Sequence, residues 1–150
     1  MKKPYIQHKG KVISVNSKLK HVMAIALDPT SKFKEGVVRC ITSRDGDVSV
    51  AGYIDRSTIH KINGDSLESF KIGDKLKIKN EEEVIKKLTK TGLDFIGLED
   101  PDIWVDEAKK LTHLYFTLPL ISMLPKPCLG RILQVYFSYT FSVPNLKNGV

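Results

Sequence analysis

Turn chemistry at short intervals limits this chain more than any other feature. Asp28-Pro29-Thr30-Ser31, Arg44-Asp45-Gly46-Asp47 and Asn63-Gly64 divide the first half into apolar runs too short for stable helices. His21–Leu27 is nearly all apolar and has the length of a buried strand. Val37–Ser43 follows a turn opened at Gly36. Asp45-Gly46 then supplies the positive-φ positions of a tight hairpin, with Val48–Ile54 as the next strand. Ser57–Ile62 reads as a fourth strand and Lys11–Val15 as a short preceding one. The pattern predicts a meander of short antiparallel strands.

Residues 65–95 are less regular. Leu76-Lys77-Ile78-Lys79 alternates as an exposed strand would. Glu81–Lys90 places Val84, Ile85 and Leu88 on one side and Glu–Lys pairs on the other, a helix that Thr91-Gly92 would end. The strand pattern then restarts. Gly97-Leu98-Glu99-Asp100-Pro101 leads into Asp102–Val105, a charged turn at Asp106–Lys110, and the run His113–Ile121. Both rounds set an Asp-Pro ahead of an apolar strand, which predicts repeated four-stranded units.

Composition excludes several classes. The net charge is +7, but lysines alternate with acids rather than forming a stripe interleaved with aromatics, so no specific nucleic-acid partner is expected. No run of 18 apolar residues exists, and no membrane association is expected. Pro4, Gln7, His8, Lys9 and Lys11 interrupt any apolar stretch after Met1-Lys2-Lys3, so a secretory leader is not expected. Cys40 and Cys128 give neither a disulfide framework nor metal spacing, consistent with a reducing, cytoplasmic setting, and no metal or cofactor is expected. Residues 122–150 differ from the rest. They contain a Pro-rich stretch, Met123–Pro127, and the aromatic run Arg131–Val143, and no acid occurs after Glu107. As a strand that run would be a sticky edge through which the chain could self-associate.

The segment Gly97-Leu98-Glu99-Asp100-Pro101-Asp102-Ile103-Trp104 resembles the Asp-Pro motif of five-bladed β-propeller glycosidases, the arabinanase/xylosidase-type family 43 and the mannoside phosphorylase-type family 130. The meander of Val37-Val38-Arg39-Cys40, Arg44-Asp45-Gly46 and Ala51-Gly52-Tyr53 is similar to their first blade. Where the phosphorylase-type motif continues with Arg after the Pro, Asp102 stands here. The resemblance implies an all-β fold, with residues 1–121 forming the first and second blades of an incomplete propeller. It implies a carbohydrate substrate, with hydrolysis or phosphorolysis in a full-length form and no activity in this truncated one. Asp28 and Asp100 would be the catalytic carboxylates, and Glu99, Arg39 and Trp104 would contact substrate. Glycosidic-bond hydrolysis uses two carboxyl groups, one a proton donor and one ionised. The competing reading of Asp28 is a turn residue bonding its own backbone, and that of Trp104 a core aromatic. For the whole chain, the alternative is a non-catalytic β-rich interaction module that pairs strands with a partner.

Overall fold

A computed structural model describes residues 21–46, 53–65, 69–89, 92–122 and 133–135. Among the described residues, eight strands form two antiparallel sheets, with one α-helix between them. The first sheet is a sequential meander of β1 (His21–Leu27), β2 (Glu35–Asp45), β3 (Ile54–Asn63) and β4 (Lys71–Lys75). The helix α1 (Glu81–Thr89) then leads to the second sheet: β5 (Leu93–Phe95), β6 (Glu99–Asp106), β7 (Leu111–Ser122) and β8 (Leu133–Val135). β7 is its centre, pairing β6 along Leu111–Thr117, β5 along Leu120–Ser122 and β8 along Leu118–Leu120. No helix among the described residues is long and apolar enough to cross a membrane.

The central strand β2 buries both faces, which is why its sequence is a continuous apolar run. Val38 and Cys40 point one way and pack with Ile62 and Phe70. Val37 points the other way, into a core shared by the two sheets, where Ala26 and Ile59 meet Leu98, Leu114, Phe116 and Leu118. The even positions of β7 supply three of those residues, as the two-residue period of a strand requires. α1 lies over this core with Val84 and Ile85 beside Phe95, Phe116 and Leu118. The shared core gives the second sheet and the helix a common apolar surface to cover.

Three expectations are corrected. The β2–β3 connection is not a two-residue hairpin: Arg44 pairs with Asp55 and Asp45 with Ile54. Gly46 does adopt positive φ, but eight residues separate Asp45 from its partner Ile54. The strand expected at Ser57–Ile62 begins earlier, because β3 runs unbroken from Ile54 to Asn63; most of Val48–Ile54 lies outside the described residues. Residues 47–52 lie outside the described set, as do Lys11–Val15, Met123–Pro127 and most of Arg131–Val143. Finally, the strand that follows β3 is Lys71–Lys75, and Leu76–Lys79, which alternates as an exposed strand would, is not one. Leu76 and Ile78 leave the ladder to pack on the shared core, so their alternation reflects two side chains sharing one side, not a paired edge.

A short link joins the sheets. Ser57 N–H donates to Ile96 O at 3.2 Å, and Leu98 N–H donates to Ser57 O at 3.1 Å. Ser57 Oγ donates to Leu98 O at 2.8 Å. Gly97 sits between these bonds at φ +131°, in a parallel bridge with Ser57.

Candidate functional site

The two Asp-Pro pairs take different structural positions. Asp28 follows β1 and caps a single 3₁₀ turn, Pro29–Ser31. Its carboxylate accepts from Thr30 N at 2.8 Å and Thr30 Oγ1 at 2.7 Å, and the residue is buried. This local Asx geometry uses Asp28 to hold the β1–β2 turn. Asp100 lies inside β6 at φ +46°, a left-handed conformation that Asp tolerates better than most residues.

That conformation marks a β-bulge that sets the site. Between the pairs Glu99–Thr117 and Asp102–Tyr115, β6 advances three residues while β7 advances two. The extra residue on β6 shifts the register by one, which exchanges the faces that neighbouring side chains occupy. Continuing the regular register would set Asp100 opposite Thr117; the bulge sets Glu99 there instead. Residues opposite one another share a face, so Glu99, Asp102 and Trp104 lie with Thr117, Tyr115 and His113. Pro101 is buried, whereas Asp102 and Trp104 are exposed.

Arg39 reaches this cluster from the face of β2 that carries Val37. Its guanidinium bonds the Glu99 carboxylate, and Nη1 lies 3.5 Å from Asp100 Oδ1. Arg39 and Glu99 are nearly buried, while the Asp100 side chain is 58% exposed. Burial pushes the Glu99 pKa above the usual carboxylate range; Arg39 opposes the shift and the Asp100 charge adds to it. A second pair flanks the first: Arg44 binds Asp55 through two nitrogens, with Nη2 to Oδ2 at 2.7 Å, and stacks over Tyr53 at 4.7 Å from the ring centroid. The Arg44 hydrogen bond holds Asp55 below the ordinary carboxylate range.

The aromatic part of the face is a short ladder. The His113 ring centroid lies 5.1 Å from that of Trp104 and 6.4 Å from that of Tyr115. Trp104 is half exposed, not a core residue. His113, the third residue of β7, is buried. Among the described residues, the buried side-chain atoms without a hydrogen-bond partner are Arg39 Nε, both ring nitrogens of His113 and Thr117 Oγ1. All of them belong to this face or to the arginine bound to it. Leaving such atoms unpaired costs about 1–3 kcal/mol each.

Comparison with family models, with characterised proteins and with solved structures gives no match to this chain. The chemistry of the face therefore stands on the geometry alone.

Arg39, Glu99 and Asp100 are thus brought together, Trp104 lies farther along the same strand, and Asp28 is engaged in its own turn. Asp102, His113, Tyr115 and Thr117 join the face without having been singled out as binding residues. The signal that finds the last three is the odd-position alternation of β7, where His113, Tyr115 and Thr117 interleave with Leu114, Phe116 and Leu118. Among the described residues no group of three or more His, Cys, Asp or Glu side chains converges to hold a metal.

Proposed function

We propose that the β6–β7 face binds carbohydrate, as part of a scaffold derived from a β-propeller glycosidase. The observation that carries this reading is the exposed Trp104, on one face with the exposed Asp102 and on the strand that carries the Arg39–Glu99–Asp100 cluster. A sugar matches such a face. Its hydroxyls both donate and accept, and its apolar ring face stacks on an aromatic side chain. The propeller reading draws support from two successive antiparallel sheets that share one core. In that reading the cluster of Arg39, Glu99 and Asp100 is the acidic side of a binding funnel. Glu99 is the buried member of that cluster, its pKa raised by desolvation and opposed by Arg39. Turnover belongs to a longer form in which other blades add the remaining groups.

Trp104 is the single tryptophan of the chain and reports directly on the face. Titration with neutral xylo-, arabino-, manno- and cello-oligosaccharides should give a saturable change in its fluorescence with at least one series. Calorimetry on Trp104→Ala should show that affinity falls about tenfold, roughly 1.4 kcal/mol. Absence of any saturable response across the four series refutes the reading.

A second reading, an interaction module, draws on the outer strand β1. Met23 and Ile25 are exposed there, on either side of a bulge at Ala24. Concentration-dependent sedimentation that Ile25→Lys abolishes would favour it.

A further inference from the structure

We propose that Asn63 is a deamidation site that the fold keeps closed, and that it opens when the β1–β2 turn releases Gly64. The inference is independent of the carbohydrate reading. Asn63 ends β3 and Gly64 follows it. Asparagine before glycine is the dipeptide in which the next backbone nitrogen most readily attacks the side-chain amide, because glycine has no side chain to hinder the approach. In that reaction Gly64 N loses its proton and bonds Asn63 Cγ, ammonia leaves, and a succinimide ring forms. Water then opens the ring at either carbonyl. The products are aspartate and isoaspartate, the latter with its main chain running through the side-chain carbons. Solvent is the sole co-reactant.

Asn63 is exposed, so burial does not protect it. Protection comes from the nucleophile instead. Gly64 N–H donates to Lys34 O at 2.9 Å, which holds the proton that must leave and fixes the direction of the nitrogen. Asn63 is also paired on both sides, with Glu35 of β2 and Lys71 of β4, so its backbone cannot rotate toward its own side chain while the ladder stands. Lys34 is held in turn by Ser31. The Ser31 Oγ accepts from Lys34 N at 3.1 Å and from Glu35 N at 2.9 Å, and donates to Asp28 O at 2.7 Å. Reaction in the native protein therefore needs a local opening, and its rate follows the population of the open form while closing outpaces the chemistry. The isoaspartate product does not fit the closed form. It lengthens the main chain ahead of Gly64, and Gly64 has no room to move toward Phe70: even a Cβ there would lie 2.9 Å from Phe70 N and Cα.

The test incubates the purified chain in mildly alkaline buffer, native and in urea, and follows the peptide containing Asn63 by mass spectrometry. Asn63 should convert in urea, and at least about tenfold more slowly in the native protein. Ser31→Ala removes the hydroxyl that holds Lys34. It should raise the native rate about tenfold, roughly 1.4 kcal/mol of opening, and leave the rate in urea unchanged. Hydrogen exchange at the Gly64 amide should quicken by a similar factor. Gly92→Ala, at the turn after α1, controls for a general loss of stability and should leave the native rate near that of the unsubstituted protein. Equal rates in native buffer and urea overturn the closed state, and no conversion in urea overturns the site itself. No rise in Ser31→Ala, or an equal rise in Gly92→Ala, overturns the local gate.

Discussion

Replacing Gly97 with alanine tests whether the link through Ser57 holds the two sheets together. A Cβ at this position would lie 2.0 Å from Ser57 O and 2.8 Å from Ser57 N. Ordinary contact begins at 3.4 Å, so the two backbones would have to separate by 1.4 Å. Bonds of 3.1 and 3.2 Å do not survive such a shift. Losing both costs about 1–3 kcal/mol. Holding alanine at φ +131° adds strain on the order of 1–3 kcal/mol. The expected loss is therefore about 2–6 kcal/mol, a large share of the roughly 5–15 kcal/mol that stabilises a typical domain. For a chain of this length that lowers Tm by roughly 5–20 °C.

Gly92→Ala separates strain from collision. Gly92 also has positive φ, +75°, but nothing lies within 4 Å of a Cβ built there. It should lose only about 1 kcal/mol. Urea unfolding of both variants, read by far-ultraviolet circular dichroism, gives the comparison. If Gly97→Ala loses no more than Gly92→Ala, the bridge at Ser57 contributes nothing to joining the sheets, and the argument fails.

Three further outcomes follow from individual environments. Asp28→Ala should destabilise by about 0.5–2 kcal/mol through loss of its cap on the 3₁₀ turn, while leaving any oligosaccharide affinity measured by calorimetry unchanged; a loss of affinity without a loss of stability would return Asp28 to the binding site. Asp55 has its pKa lowered by the Arg44 hydrogen bond, so its contribution is present above the unfolded carboxylate pKa and is lost as pH falls through the lower folded value. Asp55→Asn should therefore destabilise the protein at neutral pH and flatten its acid unfolding profile, both measurable by thermal melts from about pH 7 down to pH 3. Cys40 is buried, with its pKa pushed up to about 11 by desolvation; peptide mapping after iodoacetamide treatment should find it unmodified in the native protein and alkylated in urea.

What could be read from the sequence follows from the range of the interactions involved. β1, β6 and β7 are legible because Asp-Pro or charged turns bound short apolar runs, and α1 because Val84, Ile85 and Leu88 recur at helical spacing over Glu–Lys pairs. β5 and β8, three residues each, exist only through pairing with β7, and nothing within three residues encodes a distant partner. Leu76–Lys79 alternates without being a strand because period two reports side-chain direction, while ladder membership depends on what lies alongside. The candidate site divides in the same way. Glu99, Asp100 and Trp104 share a motif, but Arg39 arrives from 60 residues away. Even within the motif, Glu-Asp-Pro does not say which carboxylate faces the arginine. The bulge decides: one inserted residue sets Glu99 across from Thr117, where burial raises its pKa, and leaves Asp100 in the left-handed region and open to water. Two adjacent carboxyl groups thereby acquire different environments. That difference, a buried carboxylate paired with Arg39 beside an exposed one, comes from the bulge and not from the presence of the acids.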